Sequence, residues 1–146
     1  MAAITDPEVR DFLSEGTRTG MVAFTAADGR PLAAPVWFVV EGSEILFTTH
    51  KDTAKGRALA RDPRVTVCVD RDAPPYAFVQ VQGRAELSDD LAEVVRVATA
   101  VGGRYMGAGR AAEFGQRNGV PGELLVRVRP TKVYANLDVT GHQQPA

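Results

Sequence analysis

Apolar positions recur every three or four residues at the start of the chain, and every second residue through most of its remaining length. Val9, Phe12 and Leu13 share one helical face. Thr5 followed by Glu8 has the form of a capping box, Pro7 suits a first helical turn and Gly16 follows the last. A helix is therefore predicted within the N-terminal segment 1–18, lying on something larger. From Thr19 the period becomes that of strands. One is predicted over 20–26, turned by Asp28-Gly29 into a return strand over 31–40, which Glu41-Gly42 closes before another over 44–49. In the return strand Leu32, Ala34, Val36 and Phe38 alternate with Ala33, Pro35, Trp37 and Val39, so both faces are apolar and are expected to be covered. Pro35 within it implies a bulge or an edge.

Asp52 or Thr53 can cap a short helix over 54–61, which Asp62-Pro63 stops. Strands come next over 64–70 and, after Pro74-Pro75, over 76–87. Ser88 is expected to cap a helix whose stripe is Leu91, Val94, Val95, Ala98 and Val101, ended by Gly102-Gly103. A second short helix over 108–116 and strands over 123–129 and 131–137, joined across Pro130, complete the pattern. The tail from Asp138 is expected to fray. Roughly seven strands in mostly antiparallel order with three or four helices predict a mainly β fold, a small barrel with helices outside it.

The chain has 146 residues, enough for a single domain over 1–146. Its 45% hydrophobic and 24% charged residues match a globular chain and exclude wholesale disorder. No apolar run approaches the roughly 18 residues of a membrane span, and no basic stretch followed by an apolar one suggests a secretory signal. The formal charge of −1, from 17 basic and 18 acidic residues, argues against a general nucleic-acid binder. Cys68 is the one cysteine, which excludes an intrachain disulfide and fits a reducing, cytoplasmic setting. His50 and His142 are too few and too far apart in sequence to build a histidine metal site or a nucleophile–histidine pair.

Phe47-Thr48-Thr49-His50-Lys51-Asp52-Thr53-Ala54-Lys55 is the stretch richest in chemistry. Hydroxyls at a strand end, free amides at a helix N-terminus and ammonium groups at its mouth together make an anion site, with phosphate the natural guest. The same residues also read as an ordinary strand–loop–helix junction with solvated lysines. Trp37 is read either as a core tryptophan or as the wall of a ring-binding groove. Tyr76 and Phe78 stand on the polar face of their strand, as isolated surface aromatics or as an interface. His50 is read as a turn residue and Cys68 as a packed or interface thiol. Tyr134 and Asn136 share a strand face that borders a pocket or packs a hairpin. Gly102 to Gly109, with Tyr105 and Met106, are read as a flexible rim.

The ordered set of the first helix, Gly29-Arg30-Pro31 after an Asp hairpin, Pro35-Val36-Trp37, Phe47-Thr48-Thr49, Thr53-Ala54-Lys55, Arg61-Asp62-Pro63-Arg64-Val65 and Val81-Gln82-Gly83-Arg84-Ala85 resembles the flavin/deazaflavin-dependent split β-barrel family. That family includes pyridoxamine 5′-phosphate oxidase, and the likeness runs from Asp6 to Leu137. The resemblance implies an FMN-binding-type split barrel and a homodimer, with a cofactor in each interface groove. It places Pro35, Val36 and Trp37 along the ring system, and Thr48 and Thr49 on the ribityl chain or phosphate. Thr53, Ala54 and Lys55 match its Ser-Arg-Lys-like phosphate triplet, and Tyr76 and Phe78 fall at a dimer or cofactor contact. Ala54 replaces the basic middle residue of the triplet, for which Lys51 or Arg57 compensates.

Phe78 and Gln80 stand where the oxidase has a Gln and an Arg, and its substrate-phosphate residues have no match near the C-terminus. This argues against pyridoxamine phosphate oxidation. The short chain resembles the branch that uses the deazaflavin coenzyme F420. That implies an oxidoreductase passing a hydride between F420 and an electron-poor conjugated small molecule, C=C or quinone-like. Such chemistry belongs to the cofactor, so no catalytic side chain is assigned; water, Tyr76 or Tyr134 would supply a proton. An FMN-dependent oxidase or flavin reductase, and a non-catalytic F420, flavin or haem carrier, are the alternatives.

Overall fold

The computed structural model describes residues 2–141. Helix α1 (Pro7–Ser14) buries Val9, Phe12 and Leu13. Its start differs from the expected Thr5–Glu8 box. Asp6 is the N-cap residue, and its Oδ2 turns back to accept from the Ala3 amide at 2.9 Å instead of capping the helix.

Seven strands form one sheet: β1 (Gly20–Thr25), β2 (Pro31–Val36), β3 (Val39–Glu41), β4 (Glu44–His50), β5 (Arg64–Arg71), β6 (Ala77–Ser88) and β7 (Glu123–Asn136). Their order is β2-β1-β5-β6-β7-β4-β3, antiparallel at every step. β2 and β3 lie at opposite edges of the sheet, yet only Trp37 and Phe38 separate them along the chain. Three Cα steps span at most about 11 Å. The sheet must therefore curl until its edges nearly meet, which makes a mainly β barrel split along the Trp37–Phe38 seam.

That seam corrects the single strand expected over 31–40. The chain turns a corner at Trp37–Phe38 and changes from one sheet edge to the other. β2 is not covered on both faces either: Pro31, Ala33 and Pro35 are exposed in the single chain. Pro35 has no N–H to offer a further strand, which suits an edge. By contrast, the two strands expected on either side of Pro130 are one strand, β7. The pairing register shifts between Gln82 and Gly83, and a Cβ on Gly83 would stand 2.4 Å from the Arg129 carbonyl oxygen. The bare glycine lets β6 accommodate the proline by a bulge.

The main core fills the barrel with Phe24, Phe38, Phe47, Val67, Val79 and Val81, and α1 and α2 (Ala54–Arg61) pack on it. A second, smaller core sits on the other face of β4 and β7. There Leu46 and Leu125 meet Val94, Val97 and Val101 of α3 (Leu91–Met106). Asp90, not Ser88, caps α3: its Oδ1 accepts from the Ala92 amide at 3.1 Å, while Ser88 Oγ accepts from the Asp90 amide. Leu91, expected in the buried stripe, is exposed.

Gly102-Gly103 does not end α3, which runs on to Met106. These glycines serve a helix crossing. A 3-10 turn (Ala108–Arg110) leads into α4 (Ala111–Asn118), and a Cβ on Gly102 would lie 2.4 Å from Phe114 Cβ. The expected flexible rim over Gly102 to Gly109 is thus largely packed helix. Beyond β7, where fraying is expected from Asp138, the Val139 amide donates to the Tyr76 carbonyl at 2.7 Å. His142 lies outside the described residues. Among the described residues no helix is long and apolar enough to cross a membrane.

Candidate functional site

The seam opens into a groove of about 380 Å³ lined by Thr19, Pro35, Val36, Trp37, Thr48, Lys55, Val101, Asn118 and Glu123. That volume is in the range of small-ligand pockets. Two distant sequence segments meet in it. Pro35, Val36 and Trp37 form the end of β2 and the corner after it, while Thr48 and Lys55 come from β4 and the first turn of α2. A cavity of about 440 Å³ elsewhere is lined by Glu15, Arg18, Asp70 and Asp72 among others, and none of the sequence-predicted site residues reach it.

The Trp37 indole is neither core nor free. It stacks on the Tyr105 ring with centroids 5.0 Å apart and planes 2° from parallel, and is still 39% exposed toward the groove. Tyr105 is itself fixed. Its hydroxyl donates to the Arg18 carbonyl at 2.7 Å and accepts from the Phe38 amide at 3.1 Å. Burial pushes its phenol pKa up, so it remains protonated to make the first of these bonds. Beside it the Arg104 guanidinium donates to the carbonyls of Leu13, Gly16 and Phe38 at 2.8, 3.0 and 2.7 Å. Two chain segments, the end of α1 with its turn and the Trp37–Phe38 corner, are thereby tied to α3.

At the other end of the groove Thr53 caps α2. Its Oγ1 donates to the His50 carbonyl at 2.8 Å and accepts from the Gly56 amide at 3.0 Å; Thr49 Oγ1 lies 2.9 Å away and, with the Thr53 proton so placed, is the donor between them. Thr49 is buried. The hydroxyls of Thr49 and Thr53 are therefore spent on building the loop, and of the threonines in this stretch Thr48 is the one that lines the groove. The Arg57 amide bonds the Thr53 carbonyl. The Ala54 and Lys55 amides are the first-turn donors that the capping bonds do not use. Lys51 and Ala54 are exposed at the mouth and do not line the groove, though the Lys51 amide ties the loop to the Gly122 carbonyl at 2.9 Å.

Gly56 lets α2 sit this close. A Cβ there would stand 2.4 Å from the His50 carbonyl oxygen. Gly56→Ala is expected to cost about 1–3 kcal/mol by overpacking. The midpoint of urea unfolding would report it, and an unchanged midpoint would show that the loop yields freely.

Tyr76 and Phe78 do not line the groove within one chain. Phe78 packs against Tyr134 across β6 and β7, ring centroids 5.6 Å apart, on the sheet's outer face; Tyr76 is exposed just before β6. Sequence reading missed Glu123, Asn118, Val101 and Thr19, and it gave Tyr105 the wrong role. Glu123 faces His50 across the β4–β7 pairing. Burial pushes its carboxyl pKa up, against the smaller downward pull of His50 and Lys55. No local pattern marks it; only the β4–β7 register brings it beside Lys55. Among the described residues no cluster of His, Cys, Asp or Glu is disposed to hold a metal ion.

Comparison with known proteins agrees with this fold. The family model described as Pyridoxamine 5'-phosphate oxidase matches residues 5–137. The chain belongs to that family. No match is found among curated proteins. Among solved structures, the conserved hypothetical protein Rv2991 from Mycobacterium tuberculosis is similar at 25% identity and TM-score 0.80, over 97% of this chain and 92% of its own. An F420 reductase is similar at 24% identity and TM-score 0.65, over 85% of this chain and 94% of its own. The haem storage protein HutZ from Vibrio cholerae shares the fold at 18% identity and TM-score 0.72, over 93% of this chain and 98% of its own. This family of split barrels thus includes oxidoreductases, and the shared fold extends to a haem-storage protein.

Proposed function

We propose that the seam groove binds the deazaflavin coenzyme F420 and that the protein is an oxidoreductase acting on an electron-poor conjugated small molecule. The observation that carries this reading is the convergence of Pro35, Val36, Trp37, Thr48 and Lys55 on one groove. The donor set fits the group. The Trp37 corner, stiffened by Tyr105, gives a flat apolar wall for a planar ring. Lys55 with the Ala54 and Lys55 amides gives a cationic end for a phosphate, and Thr48 lies between. The similarity to an F420 reductase supports the deazaflavin over FMN, as does Ala54 in place of a basic triplet residue.

When bound, the reduced deazaflavin would supply a hydride to the acceptor. The chain's part is to bind, orient and exclude water. Lys55 and the α2 amides fix the anionic tail, Thr48 hydrogen-bonds the linking chain, and the Trp37–Tyr105 stack sets the plane of the ring. The Tyr105 proton is engaged by the Arg18 carbonyl, so a proton for the product comes from water, or from Tyr76 or Tyr134.

A second copy of the chain completes the groove in this reading. The register sets Pro35, Met21, Cys68, Gln80 and Tyr134 in one row across β2, β1, β5, β6 and β7, on the face opposite the barrel core. Met21 in that row is 45% exposed, and the edge strand β2 is unpaired on its outer side. Phe78 lies on this same face, and in this reading it and Tyr76 meet the partner. Met21→Arg is expected to convert dimer to monomer by light scattering; a dimer that persists would move the interface elsewhere.

The function itself is tested by titrating the purified protein with F420, FMN and haem side by side. Deazaflavin fluorescence is expected to saturate at the lowest concentration, and hydride transfer to quinone-like acceptors should accompany it. A protein that is yellow with FMN as isolated, or that prefers haem, would overturn the assignment.

A further inference from the structure

The charge balance at the phosphate end of the groove is unusual for an anion site. Among the residues lining it, Lys55 is the cation, and the half-buried Glu123 brings a carboxylate. Among the described residues the Glu123 side chain makes no hydrogen bond or salt bridge, and Lys55 and His50 act on it only through their charge. Ala54 adds no charge to the triplet, and the exposed Lys51 does not line the groove. A phosphate seated by Lys55 and the first-turn amides of α2 would therefore meet one positive side chain and one negative one.

Such a site treats two kinds of phosphate differently. A phosphomonoester carries close to two negative charges above its second pKa of about 6, whereas a phosphodiester carries one at any ordinary pH. One carboxylate repels the monoester twice as strongly as the diester. Discrimination by a repulsive element is a general route to specificity. We propose that Glu123 is a specificity-determining residue that selects a cofactor whose tail is a phosphodiester, and against one ending in a phosphomonoester such as FMN. This rests on the placement of the cofactor phosphate at Lys55 and adds the reason for preferring one tail chemistry.

The test uses three ligands with one deazaflavin ring: the uncharged riboside, its 5′-phosphate monoester, and the methyl diester of that phosphate. Fluorescence titration at about pH 8 gives the dissociation constants for the wild-type, Glu123→Gln and Lys55→Ala proteins. Glu123→Gln is expected to tighten the diester about threefold and the monoester about tenfold, because removing one charge acts once on the former and twice on the latter. The riboside should stay within about twofold, which reports an intact groove. A merely structural role for Glu123 would move all three together. Equal changes for the two phosphates, or none, while Lys55→Ala still weakens both, would overturn the role of Glu123 alone. If Lys55→Ala leaves both phosphates unaffected, the placement of the phosphate falls, and this inference falls with it.

Discussion

Replacing Lys55 by alanine is expected to weaken F420 binding by about 1.5–3 kcal/mol, the scale of one charge-assisted hydrogen bond, or roughly 10- to 150-fold in dissociation constant. The reason is local. The capping bonds consume the hydroxyls of Thr49 and Thr53, and the Gly56 and Arg57 amides are already paired. What is left for an anion is the Lys55 ammonium and the amides of Ala54 and Lys55. Since the family's middle basic residue is Ala54 here, no second cation from the triplet shares the load. Lys55→Arg keeps the charge and should retain most of the affinity. Fluorescence titration decides, and an alanine variant that binds as tightly as the parent would remove Lys55 from the site.

Phe38→Ala is expected to cost about 3–5 kcal/mol of stability, as for other fully buried phenylalanines. Phe38 is completely buried in the main core although it occupies the corner where the barrel splits. Its ring lies under the Arg104 guanidinium, 4.6 Å from the centroid. Its amide donates to Tyr105 Oη and its carbonyl accepts from Arg104. The backbone bonds hold the corner, and the ring anchors it to the core. A small domain has about 5–15 kcal/mol in total, so this variant should sit near the limit of folding. Urea unfolding with an unchanged slope would measure the loss. A loss below about 1 kcal/mol would show that the corner is held by its backbone bonds and not by the buried ring.

The two expectations depend on different information. The Thr53 cap, the short helix after it and the lysine in its first turn were legible in sequence because capping is local. A hydroxyl, an amide three residues on and a following Asp-Pro stop all lie within about three helical turns. The alternation of Val65, Val67 and Val69, and of Ala77, Val79 and Val81, likewise fixed which faces of β5 and β6 are buried. The same alternation misled over 31–40. An edge strand, a corner and a second edge strand read as one continuous apolar run, and periodicity carries no record of where the chain changes sheet edge. The Gly102-Gly103 pair misled in a similar way. A glycine demanded by a neighbouring helix looks in sequence like one that ends its own.

By itself the sequence determined the kinds of element, the Thr53-capped turn before α2 and the residues that resemble the family's cofactor contacts, because each arises from bonds between neighbours a few residues apart. Tertiary structure alone decided the seam, the stacking of Tyr105 on Trp37 and the arrival of Glu123 beside Lys55. Those depend on strand register and on sheet closure, which join segments dozens of residues apart through packing that leaves no local mark.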